Sequence, residues 1–283
     1  MVSPKSTRLY SASCAVITAI AFSCSAPDQL KQHIETAPPS VNSIEKIRNS
    51  SKLVYVLVAL CDNANQGIVP VSPSLGNGQD PTRNLYWGAA FGVKTFFSKS
   101  SLWEKISEIP NPSFNVIERV VFKHKSDGTV MVADAYDGSK MKETIDDFFS
   151  AASGNKLENI EIDGTTFQLY SSANLIAFVG HDGLMDFRYE KPIIKKDDDS
   201  RDAIILACAS KNYFKAPLRQ TGAEPLLWTT NLMAPEAYIL HDALEGWLKG
   251  ETGEQVRKRA ATAYAKYQRI SPQSAAGLFA SGW

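Results

Sequence analysis

Two stretches decide how this chain reads: residues 174–186 (NLIAFVGHDGLMD) and residues 202–211 (DAIILACASK). Each opens on a run of small and β-branched apolar residues, the pattern of a strand covered on both faces. Each then breaks into polar residues as a reactive side chain arrives, His181 in the first and Cys208 in the second. In an open α/β sheet, the loops leaving the carboxyl ends of the strands collect the groups that handle ligands. A Cys and a His delivered separately to that edge form a candidate thiolate–imidazole dyad.

Working outward, residues 53–60 (LVYVLVAL) read as a central strand that ends in Cys61-Asp62-Asn63. Residues 115–123 and 129–135 read as strands joined by a Ser126-Asp127-Gly128 turn, and residues 158–162 and 165–170 as a second hairpin around Asp163-Gly164. Residues 226–230 (LLWTT) give a further strand. Apolar spacing predicts helices over 84–97 and 234–249, the latter with Leu240, Ala243, Leu244, Trp247 and Leu248 on one stripe. Another helix is predicted to run to about Ala152 with Ser139 as its N-cap, and a last one starts at the capping box Thr252-x-x-Gln255. From Ser271 the tail is small and polar apart from Leu278, Phe279 and Trp283. The alternation of strands and helices, with β-hairpins inserted, predicts an α/β sandwich with a mainly parallel sheet.

The 283 residues carry 30 basic and 30 acidic side chains, so the formal net charge is zero. No basic run marks a nucleic-acid surface. Cysteines occur only at 14, 24, 61 and 208, too few and too scattered for a disulfide scaffold. His33, His124 and His241 show no ligand spacing, so neither a metal nor another cofactor is expected. Gly76-Asn77-Gly78 lacks both a leading strand and a third glycine, and is no dinucleotide fingerprint. Tyr86 and Trp87 read as core or groove wall. The charged stretch 187–201 reads as a solvated loop, or as a processing site if the chain is proteolytic.

The N-terminus reads as an address. Lys5 and Arg8 precede a short apolar run at 12–22, which suits a signal peptide and is too short to span a bilayer. Ala21-Phe22-Ser23-Cys24 resembles a bacterial lipoprotein processing box, which implies lipidation at Cys24, an exported chain, and a membrane anchor in the bacterial envelope. Ordinary secretory cleavage nearby is the alternative. Residues 1–24 are thus a signal segment, 25–51 (with Pro38-Pro39) a polar tether, and 52–283 a single domain.

Phe178-Val179-Gly180-His181-Asp182-Gly183 and Leu206-Ala207-Cys208-Ala209-Ser210 resemble the two short motifs of the caspase-like, clan CD cysteine peptidases, in which a His ends one strand and a Cys the next. Residues 222–230 (GAEPLLWTT) and the helix after them resemble the strand and helix that follow in bacterial members. The resemblance implies a three-layer caspase-like sandwich over 52–283 and a peptide or protein substrate. It also implies attack by Cys208, proton transfer by His181, and an oxyanion held by the amides of Cys208 and Gly183. Asp62, at the end of the first strand, and Asp134 and Asp137, at the end of another, would line the substrate pocket and favour Arg or Lys. The chain departs from the family where Asp182 intervenes between His181 and Gly183, and Cys208 lacks the Q-A-C-x-G setting.

Other readings stand beside this one. Cys208 alone fits a small buried residue, and His181 a loop histidine anchored by Asp182. Cys61, also at a strand end, could pair with Cys208 in an oxidising compartment. A caspase-like body without catalysis would be a binding or scaffold lipoprotein presenting residues 63–87. A different hydrolase would use His181 with Asp182 or Asp186, although no G-x-S-x-G motif supplies its nucleophile.

Overall fold

The computed structural model describes residues 52–283, apart from residues 163 and 171. The signal segment, the tether and Cys24 lie outside the described residues. The chain is an α/β protein built on an eight-stranded mixed sheet in the order β10-β9-β8-β7-β1-β4-β3-β2. Its strands are β1 (Leu53–Ala59), β2 (Trp103–Ser113), β3 (Val116–His124), β4 (Val130–Tyr136), β7 (Leu175–Val179), β8 (Asp202–Leu206), β9 (Glu224–Thr229) and β10 (Phe279–Ala280). A separate hairpin is made of β5 (Leu157–Ile162) and β6 (Thr165–Tyr170). Five neighbouring strands, β9-β8-β7-β1-β4, run parallel, and β2, β3 and β10 are antiparallel to their neighbours.

The helices are α1 (Val93–Ser98), α2 (Met141–Ala152), α3 (Ser210–Thr221), α4 (Ala237–Leu248), α5 (Gly253–Gln268) and α6 (Pro272–Gly277). Every residue of β1 is buried, and successive side chains divide between two apolar clusters as the strand period of two requires. Val54, Val56 and Val58 join Val93 and Phe97 of α1 and Leu240, Leu244 and Val256 of α4 and α5. Leu53, Tyr55 and Leu57 join Ile145 and Phe148 of α2 and Phe214 and Leu218 of α3. No helix among the described residues is long and apolar enough to cross a membrane.

Four local expectations are corrected. The helix expected over 84–97 forms only at Val93–Ser98. Asn84 explains this: its Oδ1 accepts from the Cys61 and Tyr86 amides (3.0 and 3.1 Å), and its Nδ2 donates to the Cys61 and Asn77 carbonyls (2.8 and 3.0 Å). Buried side-chain bonds to backbone outcompete the helical ladder there. The cap before α2 is Asp137, which accepts from the Ser139 amide at 2.8 Å and opens a 3₁₀ turn ahead of the helix, so Ser139 is not the cap. The tail after Ser271 forms α6 and β10, the latter pairing Phe279 and Ala280 with Thr229 and Trp228. Strand β2 was not foreseen because charge and two prolines interrupt its alternation, features suited to a sheet edge. The Thr252–Gln255 capping box forms as read.

Candidate functional site

The strand order reverses direction around β1, which has β4 on one side and β7 on the other. The carboxyl ends of β1, β7 and β8 therefore border the place where an open α/β sheet leaves a crevice. Val179 pairs with Leu206, so His181 and Cys208 each follow their strand by two residues on adjacent parallel strands. Gly180 makes that exit possible: a Cβ there would stand 2.9 Å from the Ala59 carbonyl oxygen of β1.

His181 is buried, and its Nε2 lies 2.7 Å from Asp186 Oδ2. The same carboxylate oxygen accepts from the Gly67 amide at 3.2 Å, tying the loop after β1 to the loop after β7. Asp186, offered by the sequence only as a partner of His181 in a different hydrolase, is thus the group that orients the imidazole. Gly183 is buried, and its amide donates to the His181 carbonyl at 3.1 Å, a bond that closes a tight turn over Asp182. In this conformation that amide is committed to the chain itself and not to an oxyanion.

Asp182 is the unusual group. Its side chain is fully buried, Oδ1 accepts from the Leu184 amide at 3.0 Å, and Oδ2 has no hydrogen-bond partner among the described residues. Burial pushes its carboxyl up to about 7, and the neighbouring Asp186 adds to the rise.

Cys208 is half-buried and free. Its thiol donates to the Met233 carbonyl at 3.5 Å, and the Met233 amide donates back to the sulfur at 3.5 Å. Burial raises the thiol above its ordinary value, the Met233 amide opposes this, and the negative charge of Asp182 adds to it. The next residue, Ala209, sits in the left-handed region at φ 49° and begins α3. The turn is locked by Ser210, whose Oγ donates to the Ile205 carbonyl at 2.9 Å and accepts from the Thr229 amide at 3.0 Å. A left-handed alanine held by such bonds stores local strain beside the sulfur.

Cys61 is buried and free, its thiol pushed up to about 11 by burial, against a hydrogen bond to Tyr86. The strands leading to Cys61 and Cys208 are second neighbours, about 10 Å apart. No disulfide joins the two.

The three aspartates expected in a substrate pocket are each engaged. Asp62 accepts from the Ala64 and Asn65 amides and from the Asn65 side chain. Asp134 is fully buried on β4, where it accepts from Arg119 Nε and Nη2 (2.7 and 2.8 Å) and from the Tyr55 hydroxyl (2.8 Å). Asp137 accepts from Ser139 and Gln79. Asp62 and Asp137 lie just past the carboxyl ends of the neighbouring strands β1 and β4, whereas Asp134 is enclosed with Arg119. Tyr86 is buried, within reach of the Cys61 and Cys208 thiols.

Among the described residues, no three of His, Cys, Asp and Glu converge as a metal site would need. No family model, no curated protein and no solved structure matches this chain.

Proposed function

We propose that this chain is a cysteine endopeptidase on a three-layer, caspase-like α/β sandwich, with Cys208 as nucleophile and His181 as proton carrier. One observation carries the reading: two neighbouring parallel strands each release one of these residues two positions past their last paired residue, beside the reversal point of the sheet. The buried imidazole held by Asp186 supports it further, because a general base works best when a third group fixes its orientation.

In the proposed reaction the Cys208 thiol passes its proton to His181, and the thiolate attacks the peptide carbonyl. His181 returns the proton to the leaving amine, and water releases the acyl group from sulfur. Asp186 occupies Nε2, which assigns Nδ1 to the proton transfers. The Gly183 amide must leave the His181 carbonyl before it can serve an oxyanion. Asp62 and Asp137, just past the carboxyl ends of β1 and β4, would give the pocket a preference for Arg or Lys, whereas Asp134 is enclosed with Arg119 and takes no part. Export and a lipid anchor at Cys24 belong to the same proposal.

A thiol-directed peptide probe tests it. Labelling of the wild type and none of Cys208→Ala is expected, with His181→Ala slower by about 10²-fold or more. Equal labelling of wild type and Cys208→Ala would end the peptidase reading.

A second reading, a non-catalytic scaffold, is favoured by one fact: the Cys208 thiol exchanges hydrogen bonds with the Met233 backbone and not with His181. It predicts partner binding unchanged in Cys208→Ala and no turnover of any peptide.

A further inference from the structure

We propose that the loop 230–236 is a strap that holds Cys208 latent, its Met233 backbone lying against the sulfur where a substrate would have to approach. The proposal rests on Cys208 being the nucleophile and concerns how that nucleophile is kept closed.

The loop carries no regular structure between β9 and α4, yet its path is fixed at both ends. At the start, the Thr230 amide donates to the Leu278 carbonyl at 3.0 Å, and the Asn231 carbonyl accepts from the Ala209 amide at 2.9 Å. At the far end, the Ala234 amide donates to the Tyr264 hydroxyl of α5 at 3.1 Å, and Pro235 is buried. Between these anchors Leu232 is 66% exposed while Met233 turns its peptide inward.

The Met233 backbone meets the sulfur twice, through its amide nitrogen and its carbonyl oxygen, which belong to successive peptide groups, both at 3.5 Å. A carbonyl poised for attack must approach a nucleophile to about 3–3.5 Å. Met233 thus covers one side of the half-buried sulfur at the distance an attacked carbonyl would take, and in the latent state proposed here a substrate displaces it. Because the contacts are backbone contacts, they depend on the loop's path and not on the Met233 side chain. Two side chains set that path at its far end, the Tyr264 hydroxyl and the Pro235 ring. Tyr264 packs edge-on against Phe279, so Tyr264→Phe removes the anchor and keeps the ring.

The test is the alkylation rate of Cys208 by iodoacetamide in the full chain, with Cys208→Ala as the blank. Tyr264→Phe is expected to accelerate labelling about fivefold, the factor one ordinary hydrogen bond carries, and Pro235→Gly to accelerate it as well. Unchanged rates in variants with wild-type circular dichroism overturn the strap. Should a variant fail to fold, hydrogen exchange of the wild type decides: a protected Ala234 amide is expected, and exchange at the rate of an open loop overturns the proposal. Faster labelling without peptide turnover sustains the strap while removing the peptidase reading. Turnover by a wild type whose labelling ignores both substitutions does the reverse.

Discussion

Replacing Asp182 by Asn should change the pH dependence of stability in a calculable way. The Asp182 carboxyl is fully buried, with one oxygen capping Leu184 and the other unpartnered. Folding moves it from an ordinary 3.8 to about 7, chiefly through burial. An acid raised on folding binds its proton more tightly in the native state than in the unfolded one. The contribution of Asp182 to stability is therefore greatest below pH 4, falls as the pH climbs towards 7, and levels off above that. The loss between pH 4.5 and pH 8 amounts to about 3 kcal/mol, a large share of the roughly 5–15 kcal/mol a typical domain holds. Asn keeps an oxygen for the Leu184 amide and cannot ionise. Urea unfolding of both proteins at pH 4.5 and pH 8 reads the effect. Asp182→Asn should gain on the wild type by about 3 kcal/mol between the two pH values. A difference that does not change with pH would show that the carboxylate is already paired, and the reasoning would fail.

Other substitutions test separate parts of the fold. Arg119→Met leaves the buried Asp134 carboxyl without its cation, so unfolding free energy should drop by about 3–5 kcal/mol, and Arg119→Met with Asp134→Leu should recover most of it. Gly180→Ala places a methyl 2.9 Å from the Ala59 carbonyl oxygen; a denaturant midpoint lowered by the equivalent of about 1–3 kcal/mol is expected, with slower labelling of Cys208. Thr252→Ala removes a formed capping box and should cost about 1 kcal/mol by thermal melting. Cell fractionation checks the anchor: membrane recovery should be lost in Cys24→Ser, and its persistence would contradict lipidation.

The parts of the fold visible in sequence are those where one physical rule dominates. β1, β7, β8 and β9 announce themselves because parallel strands covered on both faces need unbroken apolar runs. The Thr252 cap and the pairing of β5 with β6 follow from local chemistry. What stayed hidden depends on distant partners. Asn84 dismantles a plausible helix by bonding to the end of β1, and no spacing rule reveals a side chain serving four backbone groups. β2 hides its alternation under the charges and prolines of an edge. The site divides in the same way. His181 and Cys208 are legible as polar breaks after apolar runs. Asp186 could be listed as a partner but not chosen, since a five-residue spacing beyond a strand fixes no geometry. The Met233 contact is a backbone interaction across 25 residues and leaves no mark on residue type.

The most direct test of the central claim is cleavage of a peptide library by the full chain, compared with Cys208→Ala and His181→Ala. The proposed chemistry predicts cleavage by the wild type, none by Cys208→Ala, and a rate lower by about 10²-fold or more in His181→Ala. Cleavage that survives in Cys208→Ala, or a wild type that cleaves nothing even with the strap loosened by Tyr264→Phe, would contradict it.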